Sequence, residues 1–138
     1  MRALLAAVGL LVATPAISTP AWADCPLDLG RGTGWVVFSS HYMIAFRPDP
    51  MQIEVGTPFT LLLNVCTKRG KPAELVALDA QMPEHKHGMN YKPTIVRGVD
   101  GRYRAEGLVF HMPGRWEVTF DVRIDAETER LSHDILLQ

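Results

Sequence analysis

In 138 residues, 14 Lys and Arg face 15 Asp and Glu, so the composition carries no basic surface for nucleic acid or for an anionic membrane. The length supports one domain with a core of its own, and no apolar run is long enough to span a bilayer.

The chain begins Met1-Arg2, continues with an apolar run from Ala3 to Ala13, and reaches a polar stretch ending Ala21-Trp22-Ala23. A short positive region, an apolar centre and an Ala-x-Ala cut site, in that order, make a secretory signal peptide. The apolar run falls well short of the ~20 residues of a spanning helix, and Pro15 and Pro20 interrupt any longer one. The expectation is a signal peptide over residues 1–23, cleaved after Ala23, and an exported single domain over residues 24–138, periplasmic or secreted. Cys25 and Cys66 are then predicted to form one disulfide. It would close a loop of about 40 residues, worth ~3–4 kcal/mol on the loop-entropy argument. The other reading of either thiol is a ligand for a soft metal.

After the signal, short apolar segments alternate with Gly, Pro, Asp and Asn, and no helical periodicity is evident. Strands are expected over His41–Phe46, Gln52–Val55, Phe59–Cys66, Glu74–Met82, Tyr91–Val96, Arg102–Phe110, Trp116–Val122 and Thr128–Leu137. Residues 68–72 make an exposed turn. Val99-Asp100-Gly101 carries the Asp-Gly hairpin signal, and Pro113-Gly114 another turn. Phe59, Leu61, Leu63 and Val65 share one face of their strand, as do Trp116, Val118, Phe120 and Val122 of theirs. About seven short strands at this spacing describe an all-β fold, an immunoglobulin-like antiparallel β-sandwich. A small barrel is the alternative.

Two segments stand apart chemically. Met82-Pro83-Glu84-His85-Lys86-His87-Gly88-Met89 holds two of the five histidines and two of the six methionines, and His111-Met112-Pro113-Gly114 adds one more of each. Imidazole suits copper in either oxidation state, whereas thioether sulphur selects Cu(I). If residues 85–89 are extended, His85, His87 and Met89 point to one side, and Gly88 permits a sharp backbone path. The candidate copper ligands are therefore His85, His87, Met89, His111 and Met112, with Met82 as an additional candidate. Taken singly, each such histidine is more often a surface residue and each methionine core filler. It is the clustering in an exported chain that favours metal. His41 and Met43 form a second His-x-Met pair, and His133, on the apolar face of the last strand, reads as a hydrogen-bonded core histidine. Ser39 and Ser40 lie beside His41, but no Gly-x-Ser-x-Gly turn surrounds them and no nucleophile–base pair is legible, so an enzyme is not expected.

The Met82–Met89 phrase, followed by Gly101-Arg102-Tyr103 and by Phe110-His111-Met112-Pro113-Gly114-Arg115-Trp116, resembles the YtkA-like domain family over roughly Pro58 to Leu137. The resemblance implies a small immunoglobulin-like sandwich in an exported or membrane-attached protein, some relatives lying near copper and respiratory oxidase systems. It points to His85 and His87 first, and to His111 and Met112 second. Lys86 stands where the family's string commonly has glycine. Two functions are expected to compete. One is a periplasmic copper carrier or buffer, binding Cu(I) or Cu(II) and passing it to a periplasmic or membrane metalloprotein. The other is a non-metal accessory module of a periplasmic or membrane complex.

Overall fold

Period-two alternation carries through to nine strands in the computed structural model, which describes residues 29–30, 34–68, 73–99 and 101–138. The expected signal peptide, Cys25 and its pairing with Cys66, and the turn at residues 69–72 lie outside those residues. The strands are β1 (Trp35–Phe38), β2 (Tyr42–Asp49), β3 (Phe59–Thr67), β4 (Ala73–Met82), β5 (His87–Gly88), β6 (Thr94–Arg97), β7 (Arg102–Leu108), β8 (Gly114–Ile124) and β9 (Glu127–Leu137). They form two antiparallel sheets, β1-β2-β3-β7-β6 and β5-β4-β8-β9, packed as the expected β-sandwich.

The inner faces are those the alternation marks. Trp116, Val118, Phe120 and Val122 of β8 are fully buried, as is Leu61 of β3, with Phe59, Leu63 and Val65 nearly so. Burying a side chain of this size contributes ~1.5–3 kcal/mol. Phe46 of β2 meets Phe120 of β8 across the sandwich, ring centres 4.8 Å apart, and the Tyr103 hydroxyl accepts the Leu75 N–H at 3.3 Å.

Three local expectations change. Gln52–Val55 is not a strand but an irregular loop closed by Thr57 N–H to Glu54 C=O. β2 does not stop at Phe46 but runs on through Pro48, which pairs with Leu61. This is tolerated because β1 covers β2 only from Met43 to Phe46, so Pro48 lies on a free edge where no ladder N–H is needed. The count of nine rather than about seven comes from β1 and from two-residue β5, both too short or too uniformly apolar to announce themselves.

The topology creates two poles. At one, β4 ends, β8 starts and β9 ends: Met82, Gly114 and Leu137 come together. At the other lie the end of β3 and the β8–β9 turn.

Candidate metal-binding pole

The β4–β5 hairpin carries the first histidine segment. Met82 pairs with His87 and Gln81 with Gly88, so residues 83–86 must reverse the chain. They do so with His85 N–H donating to Met82 C=O (3.1 Å) and Lys86 N–H to Pro83 C=O (3.4 Å). The extended 85–89 segment of the sequence reading is therefore replaced by a tight turn, with His85 at its tip and His87 one step down the returning strand. The left-handed residue is Lys86, at φ 57°, the conformation glycine adopts at least cost. Gly88 does not bend the chain. It lies within β5, where a Cβ would come within 3.1 Å of Ala80 O.

The second segment is anchored more deeply. Phe110 is fully buried, its carbonyl accepts the Gly56 N–H at 2.8 Å, and its ring stacks on Trp116 at 4.6 Å and 3°. Trp116 Nε1–H in turn donates to Met112 C=O at 3.0 Å. Gly114, at φ 122°, joins the two segments: a Cβ there would lie 2.8 Å from Met82 Cε.

Hairpin and loop bring three imidazoles from 26 residues of separation onto one pole. His85 and His87 have ring centres 5.8 Å apart, and His87 and His111 are 5.1 Å apart at 30°. Trp116 floors the cluster, edge-on to His111 at 5.3 Å and to His87 at 6.2 Å. Two imidazoles sharing one ion through nitrogens about 2.0 Å from it hold their ring centres about 5–6 Å apart. His87 Nδ1 lies 3.3 Å from Gly88 C=O. A carbonyl only accepts, so Nδ1 is the donor in this contact, the tautomer that in a neutral ring leaves Nε2 as the ligating nitrogen. Among the described residues His111 Nδ1 is buried with no hydrogen-bond partner, a state that costs ~1–3 kcal/mol unless a partner arrives.

Arg115 ties the turn down. Its Nε donates to Glu84 Oε1 at 2.7 Å and its Nη1 to Asp134 Oδ2 at 2.9 Å, linking the hairpin tip to β8 and β9. The Arg115 hydrogen bond holds the Glu84 carboxyl below the usual carboxylate range. Beside the hairpin runs a groove of about 660 Å³ onto which His87, Met89, Lys86 and Lys92 open.

The methionines divide. Met82 is 1% exposed and packs within the core. Met89 and Met112 are half-buried against the core edge, at the same pole as the histidines. Among the described residues no three His, Cys, Asp or Glu side chains are grouped to hold one ion, so the three imidazoles do not converge as a ready-made triad. Pairwise spacing fits an ion; the set of three does not.

The remaining histidines are elsewhere. His41 is at the opposite pole, its Nδ1 in contact with Glu129 Oε1 and 3.3 Å from Ser40 Oγ, so the His41–Met43 pair adds nothing to this site. Among the described residues no hydrogen-bond partner meets the His133 side chain. It packs between Trp35 (5.3 Å) and Phe46 (5.4 Å), and burial pushes its pKa down.

A two-sheet domain with histidines and thioethers gathered at one pole is the class that fold and geometry define. A family profile then places it: the YtkA-like profile matches residues 39–121, more than half of the chain, and the chain belongs to that family. The match contains both histidine segments and ends before β9. Comparisons with curated proteins and with solved structures returned no match.

Proposed function

We propose that this protein is an exported, periplasmic copper carrier or buffer rather than an enzyme, binding the ion between His87 and His111 with Met89 or Met112 supplying sulphur. The observation that carries the reading is the His87–His111 pair, 5.1 Å between ring centres, with the buried His111 Nδ1 lacking any partner. Borderline imidazole and soft thioether donors together favour copper over zinc. A half-buried site of few ligands suits transfer by ligand exchange to a periplasmic or membrane metalloprotein. Export also suits a Cys25–Cys66 disulfide, which intact-mass measurement with and without reductant would detect as a two-hydrogen difference.

The test is titration of the purified protein with Cu(I) and Cu(II) against a competing chelator. Binding tighter than about micromolar is expected, with a loss of about a hundredfold or more in the His87→Ala, His111→Ala double variant. Equal binding by that variant ends the reading. The competing reading, a non-metal accessory module, draws on the absence of a three-residue His, Cys, Asp or Glu cage among the described residues. It expects partner capture that survives both chelator and loss of the histidines.

A further inference from the structure

The spacing and exposure of the three histidines divide the pole into two overlapping positions. His85–His87 and His87–His111 are each close enough to share one ion, yet the three do not form a common cage. The pairs also differ in depth. His85 is exposed at the tip of the turn, whereas His87 and His111 are half-buried, and His111 Nδ1 is shut off from solvent. Both His87 and His111 rest on Trp116, while among the described residues no ring contact joins His85 to Trp116 or His111.

We propose that the pole is a two-station handover device: His85 and His87 form an outer station that exchanges copper with a partner, and His87 and His111 an inner station that stores it. His87 is the shared ligand. The inference rests on the copper reading above. In the inward step the ion keeps its bond to a His87 nitrogen while the bond to the His85 nitrogen breaks and one to a His111 nitrogen forms. Only donor bonds from imidazole nitrogens are exchanged, so no electron is transferred and the oxidation state is unchanged. The order of depth sets the division of labour. A ligand on an exposed turn controls how fast the ion enters and leaves, whereas a ligand buried on a rigid floor, released from an unsatisfied state, controls how tightly it is held.

The experiment uses Cu(I) and the chromophoric chelator bicinchoninate as both competitor and acceptor. Affinity is measured at equilibrium and transfer by stopped flow on the purified protein and its His85→Ala, His87→Ala and His111→Ala variants. The expectation for His85→Ala is an affinity within about threefold of the parent with loading and release both slowed about tenfold. For His111→Ala it is an affinity weakened about tenfold or more with faster release, and for His87→Ala loss of both. His111→Asn, which keeps polar bulk beside Trp116, and a urea midpoint for every variant separate loss of ligand from loss of fold. Equal weakening by His85→Ala and His111→Ala overturns the two stations in favour of one site, as does unchanged transfer in His85→Ala. Failure of the parent protein to bind Cu(I) overturns the copper reading itself.

Discussion

The two poles of the sandwich each present a histidine within two residues of a methionine, and the structure treats them oppositely. At the β8–β9 end, His41 is 61% exposed and its Nδ1 is taken by the Glu129 carboxylate, with the Ser40 hydroxyl on the same nitrogen. That imidazole is already satisfied, and because Ser40 and Glu129 share one nitrogen they form no relay from hydroxyl through ring to carboxylate. At the other end, His87 and His111 lie together against Trp116, and among the described residues no carboxylate meets either ring and His111 Nδ1 has no partner. The neighbours differ: a carboxylate makes His41 part of a surface ion pair, whereas His87 and His111 have each other and the buried Trp116.

The largest effect that would break this contrast comes from the floor. Trp116→Ala empties a fully buried site and is expected to cost ~3–5 kcal/mol, measured by urea unfolding. It should also abolish copper binding, since the Met112 carbonyl and Phe110 ring lose their anchor. Next in size are two glycines, one toward each pole. Gly101→Ala places a Cβ 2.4 Å from the Val65 backbone oxygen at φ 73°, whereas Gly114→Ala meets only the flexible tip of Met82. The first is therefore expected to destabilise by ~2–3 kcal/mol and the second by ~1–2 kcal/mol. Gly114→Ala alone should weaken copper binding, because it pushes the hairpin from the His111 loop.

A smaller effect tests His133 by pH. Burial depresses its folded pKa, so between the two values the unfolded chain binds the extra proton. The stabilisation is complete above the unfolded value of about 6.5 and is lost as pH falls through the lower folded value. Thermal melts from pH 8 to pH 5 should show this slope, and His133→Phe, which keeps an aromatic ring between Trp35 and Phe46, should flatten it. The smallest expected change is at the satisfied pole. Glu129→Gln should cost less than ~1 kcal/mol, fading in high salt, and leave copper affinity untouched.

Much of the sandwich was legible because strands with one buried face write a period of two. The four β8 residues Trp116, Val118, Phe120 and Val122 are the clearest case. The site was legible only as composition. That His87 and His111 would meet follows from the β4–β8 register, which pairs Gln81 with Glu117, and no local pattern records such a pairing. Residues 85–89 read as extended because His85, His87 and Met89 alternate as in a strand, whereas residues 83–86 reverse the chain and the left-handed residue that does so is a lysine. Arg115, which joins Glu84 to Asp134 across 31 and 19 residues, has no sequence signal at all. A hydrogen-bonded His133 is what full burial of a polar ring would demand; the ring, packed between Trp35 and Phe46, is only partly buried, and its nitrogens are not among the buried atoms that lack a partner.

The most direct measurement is ¹⁵N NMR of the five histidine rings during titration of the purified protein with Cu(I). The expected result is large shifts of the His87 and His111 nitrogens at one equivalent, a smaller shift at His85, and none at His41 or His133. Shifts at His41, or no shift at His87 and His111, would contradict the assignment of the metal to this pole.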